Sequence, residues 1–419
     1  MNRRFSSPAL TTALALALGL ASATVFTPAT ASAEGATEAL TQGMTSVDIR
    51  YRYENVDDGN PATADANAST LRTRLGYKTG DIHGLRMFLE LQNVAQIDGD
   101  NYNDGNGRGA GYARVLDPEG NEVNQAYVSF EGMENLTVRV GNQRIQLDND
   151  RHIGNVGWRQ NEQTYDGALV QFKPMESLTA TYARLWNLNT VLGGNADISD
   201  SNVLHLNYWH DTHSVSAYLY QIDTQSNSTT NPNSGTLGWQ TMGVRYNGRI
   251  PVSESLQVLL TGEYATQGEY MNSGRDSAGY MALEAGVAVS SNFIKAGYEL
   301  MEGDTGAGPG ATGFTTPTGT NHAFNGWADV LVGGNGQNGL VDTWVAAGHN
   351  GEKLQGMLVY HTFAADAAGA LDPGTELDGQ VSYEVGEIYT VTAKYAAFSA
   401  DDPARTDVTK MWLMGGMKF

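Results

Sequence analysis

The chain has 419 residues, 46 acidic against 25 basic, for a formal net charge of -21 and no cysteine. Such an excess of acid excludes nucleic acid as a partner of the whole surface, and the lack of cysteine excludes disulfide staples. Length alone would allow two soluble domains, yet no Pro-rich or Ser-rich linker and no change of composition divides the sequence.

Residues 1–33 read as an export signal. Arg3 and Arg4 form a basic start, Ala9 to Ala23 an apolar run, and Ala31-Ser32-Ala33 a small-residue cleavage site, with the cut expected before Glu34. The run is shorter than the roughly 20 residues of a membrane-spanning helix. Residues 34–419 then form one unit. Their mean hydropathy is negative, as expected of barrels whose strands alternate polar and apolar positions.

Alternation begins at once. Val47, Ile49, Tyr51 and Tyr53 share one face, and Asp48, Arg50, Arg52 and Glu54 the other. Leu71 to Lys78 and Leu85 to Gln92 repeat the pattern, placing Arg72, Arg74, Lys78 and Arg86 on the polar face. A period of 2 marks strands, because a helix would mix the faces. Similar segments follow at 122–131, 135–146, 163–173, 177–187, 202–211, 213–223, 239–249, 255–266, 277–289, 291–301, 341–350, 354–364, 376–385, 388–398 and 408–419. About 18 strands result, each near the ten residues of a tilted membrane strand.

Even-to-odd connections are short, as at Gly132-Met133-Glu134-Asn135 and Asp211-Thr212, while odd-to-even connections are longer or richer in Gly and polar residues. Short turns on one side and long loops on the other predict an all-β, antiparallel, up-and-down transmembrane barrel of the bacterial outer membrane. Its partners would be lipid and lipopolysaccharide, and it would work as a monomer. Met411, Leu413, Gly415, Met417 and Phe419 share the last strand's apolar face. The terminal aromatic resembles the signal read by the barrel assembly machinery. Tyrosines near strand ends suit interfacial girdles.

Two features carry function. Arg50, Arg52, Arg72, Arg74, Lys78 and Arg86 come from three consecutive strands and form one positive lumenal wall, to which Arg139, Arg144 and Arg245 can add. Guanidinium groups in a narrow pore favour anions, although acids such as Asp48, Glu54 and Glu90 are available to brace them. The second feature, residues 140–167, packs Arg144, Arg151 and Arg159 with Asp148, Asp150, Glu162 and Asp166. Alternating Arg and carboxylate can lock a loop into the pore, or bind a chain of sugar acids.

This second segment resembles the alginate export family. It fits the pattern G-x-Q-x-[IL]-x-x-D-x-x-R-x-I-G-x-V-G-W-R-Q-x-x-x-T-[FY]-D from Gly141 to Asp166. His322-Ala323-Phe324-Asn325-Gly326-Trp327-Ala328-Asp329, followed by Gly339-Leu340-Val341-Asp342, is similar to a second family region. The resemblance implies an 18-stranded channel passing an acidic polysaccharide such as alginate, with Arg144, Arg151, Arg159, Asp148 and Asp166 at or near the constriction. A general diffusion porin is the alternative.

Other signals are weaker. Asp98, Asp100 and Asp104 hint at a calcium loop but miss the EF-hand spacing, so no cofactor is expected. His205, His210 and His213 are close in sequence. They lack a G-x-S-x-G nucleophile elbow, so an enzyme is not expected.

Overall fold

The computed structural model describes residues 33–99, 101–223, 238–271, 273–304 and 313–419. The expected signal lies almost wholly outside them, as does Asp100. Eighteen strands form one closed antiparallel sheet: β1 (Met44–Asp57), β2 (Ala66–Lys78), β3 (Leu85–Gln96), β4 (Gly120–Met133), β5 (Leu136–Gln143), β6 (Thr164–Met175), β7 (Leu178–Asn189), β8 (Asn195–His210), β9 (His213–Ile222), β10 (Trp239–Pro251), β11 (Leu256–Glu269), β12 (Ala278–Val289), β13 (Asn292–Met301), β14 (Leu340–Asn350), β15 (Leu354–Ala364), β16 (Gly374–Val385), β17 (Tyr389–Ala400) and β18 (Val408–Lys418). Each strand pairs with its chain neighbours, and β1 closes the ring on β18 with Arg52 opposite Met414. Phe419 extends the seam, its N–H donating to the Val47 carbonyl at 3.0 Å. Closure leaves no unpaired edge, the condition for a sheet to stand in lipid.

The wall is apolar outside and polar inside. On β3, Met87, Leu89 and Leu91 are exposed outward, whereas Glu90 and Gln92 are buried inward. This inverts the soluble arrangement and matches a barrel whose outer face meets hydrocarbon. No helix among the described residues is long and apolar enough to cross a membrane.

Several boundaries differ from the sequence expectation: β2 starts at Ala66 rather than at 71 and β8 at Asn195 rather than at 202. β5 stops at Gln143 rather than at 146, because the chain leaves the wall there and turns into the lumen. A short helix, α1 (Ala33–Thr41), precedes β1 and was not foreseen. It sits at the short-turn end, where Tyr77 Oη donates to the Leu40 carbonyl and Gly80 N–H to that of Ala39.

The longest connections do not all stand clear of the barrel. Residues 144–163, between β5 and β6, fold inward, and Ile145, Arg151, Ile153, Gln160 and Glu162 are all buried. The described part of the β13–β14 connection, 313–339, does the same through Phe314, Thr318, His322, Asn325 and Trp327. The main buried cluster, including Ile153, Tyr165, Tyr280, Phe314 and Trp412, therefore fills the lumen at the long-loop end.

Candidate functional site: a charged constriction built by two loops

The two motifs legible in sequence meet in space. Gly154 N–H donates to the Thr318 carbonyl at 3.0 Å and Thr320 N–H to that of Asp150 at 2.8 Å. The Thr318 hydroxyl donates to the His152 carbonyl at 2.7 Å. These bonds close a small ladder between loops that start 158 residues apart, at 144 and 302, and Trp158 stacks on His322 across the same junction.

Each loop is then tied to the wall by charge. Glu162 receives Arg144 Nε at 2.8 Å and lies 3.3 Å from Arg74 Nη1, with Asn124 and Asn155 donating to its two oxygens at 2.6 Å. Burial alone would raise its pKa, but the Arg144 hydrogen bond and the Arg74 and Arg144 charges outweigh that and hold it at about 2. Arg159 spans the junction: it lies 3.2 Å from Glu54 on β1 and 3.1 Å from Asp329 of the second loop. Asp329 also meets Lys410 at 3.0 Å and His322 Nδ1 at 2.7 Å. Burial opposes its charge, yet His322, Lys410 and Arg159 hold it well below the usual carboxylate range. Burial keeps His322 itself neutral, so its Nδ1–H donates to Asp329 while Nε2 accepts Lys394 Nζ at 2.7 Å.

Arg151 is fully buried. It pairs with Glu299 at 2.8 Å, donates to Asn325 Oδ1 at 2.8 Å and lies over the Phe324 ring. Asp148 fastens the other end of its loop to β8 and β9 through His205 at 3.0 Å and the Ser216 hydroxyl.

The Arg wall is therefore largely engaged. Arg52, with no exposed surface, pairs with Asp117 at 2.9 Å, donates to the Trp158 carbonyl and stacks on the Trp158 ring. Arg72 pairs with Asp48 at 2.6 Å. Arg50 differs: its donors go to Gln160 Oε1 at 3.0 Å and to the carbonyls of Gly157 and Arg159, all uncharged acceptors. Two expected site residues lie elsewhere. Arg86 is near the short turns, bonded to Glu131, with Asp81 at 3.7 Å. Asp166 sits on the face of β6 opposite Tyr165 and accepts from Asn187 and Asn189.

Sequence reading missed several participants. Lys394 stands 3.6 Å from the Trp327 ring centroid and 4.3 Å from that of Trp158. Asp378 accepts Trp327 N–H at 3.1 Å and Glu376 accepts Ala328 N–H at 2.6 Å, pinning the second loop to β16. Alternation along β16 and β17 placed all three on the lumenal face, and a charge in mid-strand was the available signal. Asp117, from the β3–β4 loop, gave none.

Among the described residues no three His, Asp or Glu side chains are grouped to hold a metal. Asp104 uses its carboxylate on the N–H groups of Asn106 and Arg108, and Asp100 is outside the described residues. His205 is taken by Asp148, and His213 bonds Tyr246.

A closed barrel with inward loops defines an outer-membrane channel. Three crystal structures share the fold: OccAB4 of Acinetobacter baumannii (TM-score 0.69, 13% identity, covering 91% of this chain and 99% of that one), OccK9 (OpdG) of Pseudomonas aeruginosa (0.69, 15%, 91% and 100%) and the outer membrane protein OpdK of the same organism (0.69, 12%, 91% and 99%). The family model for alginate export matches residues 41–305, so the chain belongs to that family. A search of curated proteins returned no match.

Proposed function

We propose that this channel passes anionic saccharides, acidic polysaccharide or oligosaccharide of the alginate type, past its lumenal arginines. Residues 1–33 are read as the signal that delivers it for export. The observation that carries the proposal is Arg50, a wall guanidinium coordinated only by neutral oxygens, whose positive charge no contacting carboxylate cancels. Arg139 on β5 adds to it, with no acidic partner among the described residues. In a constricted, partly dehydrated lumen such a charge lowers the barrier for anions more than it would in water. The paired arginines Arg52, Arg74, Arg144, Arg151 and Arg159 instead hold the loops that narrow the passage.

Swelling of proteoliposomes tests this. Digalacturonate should enter several times faster than a neutral disaccharide of similar size, and Arg50→Ala with Arg139→Ala should reduce that ratio towards one. Equal entry of both solutes into wild-type vesicles would overturn the proposal.

A further inference from the structure

Beneath the loops, towards the short turns, the same wall carries a patch that ion pairing does not explain. Register aligns Lys78, Phe88, Tyr127 and Gly141 in one row across β2 to β5, with Arg86, Ser129 and Arg139 in the next. These positions alternate with the exposed Met87, Leu89, Val128 and Val140, so they face the lumen. The Phe88 and Tyr127 rings lie 5.3 Å apart and both are half-buried. The flanking glycines are closely covered: a Cβ on Gly76 would meet Ser46 Oγ at 2.3 Å and one on Gly141 the Ala126 carbonyl oxygen at 2.3 Å. The two half-buried rings form an apolar shelf on the lumenal face.

Charge and hydrogen-bonding capacity sit at its edge. The Arg139 guanidinium lies 5.5 Å from the Tyr127 ring centroid. Lys78 and Arg86 are engaged by Glu131, which leaves Arg139 as the base without a carboxylate. Two polar atoms are buried here with no partner among the described residues, Arg139 Nε and the Ser129 hydroxyl, and Ser129 is only 1% exposed. Buried donors are rarely left unsatisfied, and two in adjacent register positions fit an acceptor that arrives with a ligand.

An apolar ring face, a guanidinium and a hydroxyl are the complement of a pyranose that bears a carboxylate. Its C–H face covers the aromatic shelf, its carboxylate takes the charge-assisted bond, and a ring hydroxyl takes Ser129. We propose that Phe88, Tyr127, Ser129 and Arg139 form a binding subsite for one uronosyl residue in the vestibule below the constriction. This rests on the reading that anionic saccharides pass the channel.

The test is block of single-channel current in planar bilayers by trimannuronate added from the short-turn side, with folding of each variant checked by heat-modifiable gel mobility. Wild type should be blocked in a concentration-dependent way, and maltotriose, which has no carboxylate, should not block. Tyr127→Ala and Arg139→Gln should each raise the half-blocking concentration about tenfold, Ser129→Ala about threefold, and Tyr127→Phe should stay within twofold of wild type. Unchanged block in Tyr127→Ala and Arg139→Gln, block by maltotriose, or block by benzoate without block by trimannuronate would each overturn the subsite. The zero-current potential is read on the same membranes. Anion preference with failed block refutes the subsite alone, whereas absent anion preference refutes the reading beneath it.

Discussion

Trp158 lies flat on His322, ring centroids 4.1 Å apart and planes within 5° of parallel. The first belongs to the β5–β6 loop and the second to the β13–β14 loop, so this stack joins the two elements that narrow the lumen. Trp412 of β18 meets both rings edge-on, at 5.6 and 5.8 Å.

Replacing Trp158 by Ala removes that joint along with the ring beneath Arg52. An aromatic pair contributes about 0.5–1.5 kcal/mol beyond its buried area, enough to loosen a loop without unfolding a barrel. Single-channel recordings should show higher conductance and added flicker. Conductance equal to wild type would mean that the stack does not set the pore width.

Arg159 is the charge shared by Glu54 and Asp329, and all three are buried or nearly so. Arg159→Met leaves Glu54 with only Arg52, 4.0 Å away, while Asp329 keeps Lys410 and His322. Removing one partner of a buried ion pair costs about 3–5 kcal/mol. Urea unfolding in detergent micelles should show that loss, and the double variant Arg159→Met with Glu54→Gln should recover part of it.

Glu162 gives the loop a pH dependence with a definite sign. Its folded pKa, about 2, is below the ordinary 4.5, so its contribution is present above the ordinary value and is lost as pH falls from about 4.5 towards 2. Conductance should therefore be steady from pH 7 to 5 and change below 4.5. Glu162→Gln should remove that dependence and resemble the acid form at neutral pH, measured as conductance against pH.

Gly319 passes so close to the neighbouring loop that a Cβ would lie 2.1 Å from the Arg151 carbonyl oxygen. Backbone must move to admit it, and such overpacking costs roughly 1–3 kcal/mol. Gly319→Ala should part the loops and expose Arg151 and Arg159 to trypsin in intact membranes, read as new cleavage products by mass spectrometry. Wild type should resist.

The strand count, the inward face of β1 to β3 and the segregation of short turns from long loops were legible because alternation and turn chemistry are local signals. The Arg-rich segment was also legible as a unit. What it grips was not, because Glu54, Asp117 and Asp329 reach Arg159 and Arg52 only after the barrel closes. The same limit explains Asp166. Its place in the motif resembled that of Asp148, but β6 begins at Thr164, and pairing with β7 turns it towards Asn187. Lys394 had a readable position and an unreadable environment: alternation put it in the lumen, and only folding brought three tryptophans around it.

The most direct measurement is the zero-current potential of the reconstituted channel under a salt gradient, comparing wild type with Arg50→Ala/Arg139→Ala. Neither of these wall arginines has a contacting carboxylate among the described residues, so anion preference is predicted in wild type and its near disappearance in the double variant. Cation preference in wild type, or anion preference untouched by the substitutions, would contradict it.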